Sequence, residues 1–455
     1  MKVYKDYKNS HFSGLVPSDW RCLKLRHAYN IIGSGTTPEA GNPEYYHNGT
    51  ISWLNTGDLN NSILKSCTKK VTQKALDDFT ALKVFPKHSL AIAMYGATIG
   101  KVSLLEFETT VNQACCVFSN SEVVSNEFMF YWFLAHTTHI INLSKGGGQP
   151  NINKEILCSL KILCPSVSEQ NQIVQYLDHK SAQIDKLIRD KEELIELLNE
   201  ERTAIINQAV TKGLSPDVPM RDSGIGWLGE VPQNWTIKRL KYLLEEGKEG
   251  IKIGPFGSAL KTEFIREVGV KVYGQEHVIK NDFSLGNKNI DNDKFSELSK
   301  YQIFGGDIVV TMMGTTGKAK VVPEGIPSGI MDSHLTRIRV NKMLLLPRLL
   351  ELLINDSYLI STQVKLQSKG AIMDGLNSTI IKSLIIPTPP PGYQEELVEY
   401  LDEQLEKYSE TYKKIHQEIE LLKEYKTALI SEVVTGKVDV RDEVIEATQA
   451  SLVSS

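Results

Sequence analysis

Residues 165–178 read PSVSEQNQIVQYLD, and residues 389–402 read PPPGYQEELVEYLD. The two stretches align without a gap at an offset of 224, and six of their fourteen positions are identical. Further on at the same offset, AIINQAVT at 204–211 matches ALISEVVT at 428–435 in four of eight positions. Between these anchors an apolar seam advances by alternate steps of four and three. In the later copy it runs Leu401, Leu405, Tyr408, Tyr412, Ile415, Ile419, Leu422, Lys426, Leu429 and Val433. In the earlier copy it runs Leu177, Ser181, Ile184, Ile188, Lys191, Ile195, Leu198, Arg202, Ile205 and Ala209. A heptad spacing held this long predicts two long coiled-coil helices. Prolines precede each (Pro165; Pro387 to Pro391) and a glycine follows each (Gly213; Gly436), as helix punctuation requires. At ~1.5 Å per residue each is a rod of roughly 64 Å.

A rod cannot bury its own stripe. Two such rods in one chain most simply pack on each other, and a duplicated unit closing on itself favours an antiparallel pair about a pseudo-twofold axis. The competing arrangement is a zipper between separate chains. Arg202 and Lys426 interrupt the seam at equivalent positions. Either both carry their charge out to solvent along aliphatic stems, or each pairs with an acid near the start of the other helix, such as Glu406 or Asp178.

Outward from the rods the repeat continues with a drifting offset. Val16-Pro-Ser-Asp-Trp20 returns as Val231-Pro-Gln-Asn-Trp235, 215 residues later, and Gly100-Lys101 returns as Gly317-Lys318, 217 later. Insertions therefore lie outside the rods. The net charge of −4 conceals an alternation. Residues 1–165 hold 16 Lys and Arg against 12 Asp and Glu, and residues 214–388 hold 22 against 19. Residues 166–213 hold 6 against 9, and residues 389–455 hold 7 against 15. Two mildly basic blocks alternate with two acidic rods, and nucleic-acid partners are read from such local charge.

The basic blocks carry short apolar or alternating runs ended by Gly or Asn: ISWLNTG, SLAIAMYG, VNQACCVF, VKVYGQ and DIVVTMMG. These predict strands. FMFYWFLAHTTHIINL and PRLLELLINDSYLISTQV predict buried helices. The fold class is therefore α+β, a duplicated unit of two mixed α/β blocks separated by two long antiparallel coiled-coil helices with pseudo-twofold symmetry. The divisions fall at 1–165, 166–213, 214–388, 389–437 and 438–455. Within the third, the Gly- and Pro-rich 214–235 reads as a linker. The last reads as a disordered tail.

At 455 residues with 41% hydrophobic and 23% charged composition, the chain has the make-up of a globular protein of two or three domains. No run approaches 18 apolar residues, and MKVYKDYKNSHFSG has no apolar core of a secretory signal. Six cysteines, at 22, 67, 115, 116, 158 and 164, all precede the second block and form no CxxC pair. A reducing cytoplasm is the expected location, with no membrane partner.

GATIGK (96–101) and GTTGK (314–318) suggest a phosphate loop, but three and two residues separate the glycines where four are needed, and Val or Ala follows the Lys. They are better read as β-turns that bring backbone N–H groups and a cation to a surface. An ordinary hairpin explains them structurally. The functional reading is phosphate or groove contact by Thr98, Lys101, Thr316 and Lys318. The glycine-bearing loops SKGGGQPNIN (144–153) and SKGAIMDGLN (368–377) add Lys145, Gln149, Asn151, Asn153, Lys369 and Asn377, donors suited to phosphates and base edges. His334 and Arg337 follow a strand where the first block has Ala114 and Val117. No GxSxG, HExxH, DxDxDG, kinase, methyltransferase NPPY-type or helicase motif occurs, and His136 and His139 read as core residues rather than metal ligands.

RDSGIGWLGEVPQNW (221–235), the strand ending in GxxGK, the loop with Asn before the proline, then Pro…Gln leading into a long helix, all present twice, resemble the specificity subunit of a type I restriction-modification system. The likeness spans roughly 1–437. It implies that each basic block is a target-recognition domain contacting one half of a bipartite, asymmetric site on double-stranded DNA. The helices would set the gap between half-sites and dock two methyltransferase (M) subunits. Restriction/translocase (R) subunits would complete the nuclease. The chain itself would be non-catalytic, with no cofactor or metal of its own, and S-adenosylmethionine, ATP and Mg2+ would belong to the partner subunits. The alternatives are a subunit of a modification-only system, a coiled-coil adaptor without a DNA role, and an enzyme acting on nucleic acid through the GK tips.

Overall fold

The computed structural model describes residues 2–10, 14–144, 151–247, 249–256, 258–312, 317–367 and 378–443. The two long helices are Val167–Lys212 and Pro391–Val434. The chain folds into two compact units, Met1–Lys191 with His416–Ser455, and Glu192–Ile415. Each unit thus combines one α/β block with half of each rod, a division that cuts the helices in the middle rather than at their ends.

In unit 1, Ile31–Ser34, Cys115–Ser119, Leu90–Ala93, Val102–Leu105 and Ile63–Leu64 form a sheet in that order. Its pairs are antiparallel except the last. Ile51–Leu54 forms a second sheet, pairing in parallel with Thr110–Val111 and antiparallel with Lys70–Val71. Arg21–Lys24 pairs with Lys161–Cys164, the strand leading into the first rod.

Unit 2 repeats this topology without the fifth, parallel strand of the larger sheet among the described residues. Ile251–Ile253, Leu335–Ile338, Ile308–Thr311 and Ala319–Val321 form the larger sheet. Val270–Tyr273 pairs in parallel with Gly329–Met331 and antiparallel with Asn289–Ile290. Thr236–Arg239 pairs with Ile385–Thr388 before the second rod. All five runs expected as strands are strands. Both apolar runs expected as helices are helical, each in two pieces: Asn126–Ala135 with Thr137–Asn142, and Pro347–Asp356 with Tyr358–Gln367. Ser125 caps the first by accepting from Phe128 N, and Pro347 opens the third at the position where a missing N–H costs nothing.

The seams are buried within each unit. In unit 1, Leu177 and Ile184 join Leu429 and Val433 in one core, with Ile188 and Leu422 packed against it, and Ile419 is also buried. In unit 2, Leu401 joins Ile206 and Ala209, with Ile205 and Leu405 packed beside them. Ile195 and Ile415 are buried, and Leu198 is half-buried. The pairing is antiparallel in both. In unit 1, Asp185 bonds Lys426 and Lys191 bonds Glu418, so one helix ascends as the other descends. In unit 2, Asn199 accepts from Tyr408 OH at 2.6 Å.

Of the two seam cations, Lys426 does pair with an acid of the other helix, Asp185 rather than Asp178, at 2.7 Å. Arg202 does not reach Glu406. It bonds Asp356, at the end of Pro347–Asp356, at 2.8 Å and lies over the Tyr408 ring, 5.6 Å from its centroid. A guanidinium that stacks and forks can serve ring and carboxylate together.

Two expected boundaries are corrected. Residues 214–235 are no open linker: Met220–Asp222 pairs with Glu230–Pro232, and Leu228, Val231 and Trp235 are buried. The apolar residues among the glycines give this hairpin a core face, as Val16 and Trp20 do for Tyr7–Ser10 and Gly14–Pro17 in unit 1. Residues 438–443 are no loose tail either. Val438 and Val440 are buried in the unit 1 core, and Asp439 N donates to Lys2 O at 2.9 Å. Arg441 bonds Asp439 and lies over the Tyr4 ring, 4.6 Å from its centroid.

Candidate nucleic-acid interface

The two GK motifs close their hairpins with matching backbone hydrogen bonds. In unit 1, Ala93 N donates to Lys101 O and Gly100 N to Ala93 O, both at 2.9 Å. In unit 2, Thr311 N donates to Lys318 O and Gly317 N to Thr311 O, both at 2.9 Å. Gly100 and Gly317 each have φ of +80°, in the left-handed region that favours glycine. The chain returns as a strand, so neither tip is a phosphate loop, which runs on into a helix. Lys101 and Lys318 follow these glycines with exposed side chains.

Thr98 donates to Tyr95 O at 3.4 Å and faces partly outward. Asn151 bridges Tyr95 in antiparallel fashion, with Ile152 N donating to Met94 O at 2.9 Å, so it joins Thr98 and Lys101 on the same tip. Asn153 is exposed, and its Oδ1 accepts Ile156 N at 2.8 Å and caps Lys154–Ser159. His334 is 45% exposed and its carbonyl accepts Met312 N, which places it beside the strand that enters the unit 2 tip.

Arg337 requires correction. It is 1% exposed, with its guanidinium donating to Gln302 O and to the Glu249 carboxylate, both at 2.6 Å. Leu335–Ile338 is buried on both faces, so Arg337 lies inside the fold, where it holds a loop and offers nothing to a ligand. Arg339 is likewise engaged, bonding Asp307 at 2.6 Å. Lys145, Gln149, Thr316, Lys369 and Asn377 lie outside the described residues.

Several other reactive groups are buried in the unit 1 cores. Burial pushes the Cys115 thiol up to about 12 and that of Cys164 to about 11, so neither offers a thiolate at neutral pH. His136 stacks on Trp132 at 4.1 Å and bonds its carbonyl, and burial lowers its pKa. No group of three or more metal-binding side chains occurs among the described residues, and no helix there is long and apolar enough to cross a membrane.

Sequence reasoning missed Asn112 and Asp332. Asn112 N donates to Leu54 O at 3.0 Å and Asp332 N to Tyr273 O at 2.9 Å, each at the end of the parallel strand pair of its unit. Each side chain then accepts the N–H two residues on: Ala114 N to Asn112 Oδ1, and His334 N to Asp332 Oδ1. The available signal was the repeat itself, since VNQACC and MDSHLT align at an offset of 220.

Several known proteins are similar to this chain. The MjaVIII type I restriction enzyme specificity subunit of Methanocaldococcus jannaschii is 24% identical over 246 residues, 54% of each chain. The EcoKI specificity subunit of Escherichia coli is 24% identical over 326 residues, 68% of this chain and 65% of that one. The StySPI specificity subunit of Salmonella potsdam is 23% identical over 423 residues, 88% of this chain and 85% of that one. The alignments thus span between about half and most of the relatives' length. Among solved structures, a chain from the complex assembly of a type I R-M system has a TM-score of 0.70 at 15% identity, covering 93% of this chain and 99% of that one. The HsdS subunit from Thermoanaerobacter tengcongensis has a TM-score of 0.52 at 15% identity, covering 93% and 98%. Both share the fold. The type I restriction modification DNA specificity domain model matches residues 17–197 and again 234–421, once in each half of the duplication, and the chain belongs to that family.

Proposed function

We propose that this chain is the sequence-recognition subunit of a type I restriction-modification complex. Each unit contacts one half of a bipartite, asymmetric site on double-stranded DNA. The observation that carries this reading is the pair of hairpins whose strands are Leu90–Ala93 with Val102–Leu105 and Ile308–Thr311 with Ala319–Val321: each is closed by the same two backbone hydrogen bonds and each has an exposed lysine after the turn glycine. Lysines on such tips neutralise phosphates, and the neighbouring side chains address base edges. The chain is non-catalytic. Its rods dock two methyltransferase subunits and set the unread gap. Restriction subunits join that assembly, and S-adenosylmethionine, ATP and Mg2+ are bound by the partners, in the cytoplasm.

The test is a methylome. The chain is co-expressed with a methyltransferase subunit of its system in a host lacking DNA methylation, and modified bases are mapped. The expected result is a bipartite motif with a fixed gap that vanishes when this chain is omitted. Unmodified DNA despite a soluble complex would refute the reading.

A further inference from the structure

The frame around Asn112 and Asp332 has the same backbone hydrogen bonds in both units but different chemistry. Beyond the shared bonds already given, the carbonyl two residues on accepts the strand residue entering the hairpin tip: Ala114 O from Met94 N and His334 O from Met312 N, both at 2.8 Å. This fixes each side chain beside its GK hairpin. The opposing chain presses close in both units. A Cβ on Gly35 would lie 1.6 Å from Val111 O, and one on Gly254 would lie 1.8 Å from Asp332 O, so only glycine admits the approach.

Backbone identity makes the side chains the variable. In unit 1 the position holds an amide, which has both donor and acceptor and whose Nδ2 donates to Asn55 Oδ1 at 3.3 Å, followed two residues on by Ala114. In unit 2 it holds a carboxylate, which only accepts and whose Oδ2 lies 3.3 Å from Nδ1 of the exposed His334. Asn112 is half-buried and Asp332 is 19% exposed, so each is held yet open to one side. Two residues beyond the pressed glycines stand Thr37 and the 80% exposed Phe256.

We infer that Asn112 and Asp332 are the residues that give the two units different base preferences. Asp332 accepts from an exocyclic amino group, that of cytosine N4 in the major groove, while Asn112 offers adenine its second amide N–H and its second Oδ1 lone pair, the first of each being taken by Asn55 and Ala114 N. This assignment rests on the DNA-recognition role proposed above.

The test compares methylomes from the native chain, Asp332→Asn and Asn112→Asp, each co-expressed with the methyltransferase subunit. Asp332→Asn is expected to change the base at one position of one half-site, with a preference shift of about 10-fold or more. Asn112→Asp changes one position of the other half-site, and the gap stays constant in both. Identical motifs from all three chains overturn the assignment, as does a single substitution that alters both half-sites. If a variant abolishes methylation, the purified complex is competed against duplexes bearing each base at each position. A reordered preference at one position supports the assignment, and the native order overturns it. A native chain that yields no bipartite motif refutes the underlying recognition role, and this assignment with it.

Discussion

Gln170 and Gln394 make the same hydrogen bonds at equivalent positions of the two units. Gln170 Nε2 donates to Val123 O and Pro165 O at 2.9 and 3.0 Å, and its Oε1 accepts Ser125 N at 2.8 Å. Gln394 Nε2 donates to Leu344 O and Pro389 O, both at 2.9 Å, and its Oε1 accepts Leu346 N at 2.9 Å. Ser125 and Leu346 are the residues that start the helices Asn126–Ala135 and Pro347–Asp356. One buried amide thus bolts the first turn of each rod to the helix of its own α/β block.

Removing either amide strands buried backbone groups that water cannot reach. Gln170→Ala and Gln394→Ala should each destabilise the chain by about 2–3 kcal/mol. Denaturant unfolding of the full chain checks this, and an unchanged midpoint would refute the clamp.

The Lys426–Asp185 pair crosses between helices but remains partly exposed. A double-mutant cycle through Lys426→Ala and Asp185→Ala should give a coupling of about 0.2–1 kcal/mol, screened by added salt. A coupling of several kcal/mol would mean that the pair is far more desolvated than its exposure indicates.

Acid should loosen unit 2 through Glu249. Its hydrogen bond to the Arg337 guanidinium holds its carboxyl below the usual glutamate range. A depressed folded pKa means the unfolded chain binds the proton first, so the contribution is present above the ordinary value of about 4.3 and lost as pH falls through the folded pKa. The native chain should therefore lose stability more steeply than Glu249→Gln as pH drops from 5 to 3, and parallel curves would contradict this.

On DNA, Lys101→Ala and Lys318→Ala should each weaken binding by the complex across all sequences. Each should also lower the slope of log affinity against log salt by about 0.9. A change in motif without a change in slope would move these lysines from phosphates to base edges.

Much of this was legible because it is periodic or punctuated. The heptad seams became the rods, and the valine-proline-tryptophan repeats became buried anchors at Trp20 and Trp235. What escaped was polar residues whose role depends on a turn. Asn153 caps a helix through its Oδ1, and Asn112 and Asp332 fold back on their own backbone, local bonds that composition does not announce. Arg337 misled because a charged residue in a strand reads as surface until its partner, Glu249, is seen 88 residues away. The hairpin at 220–232 was hidden by its glycines and prolines, which mark a turn whether or not the flanks are buried.

The packing of Val438 and Val440 beside the segment that holds Lys2 gives the chain an order of maturation. Unit 2 is an uninterrupted stretch, 192–415, and can finish folding soon after it leaves the ribosome. Unit 1 begins first but closes last. Its core includes Leu429, Val433, Val438 and Val440, so the α/β block made earliest must wait, with part of its apolar surface uncovered, until the second rod has been synthesised. The first unit to emerge is therefore the one whose core stays open longest during translation.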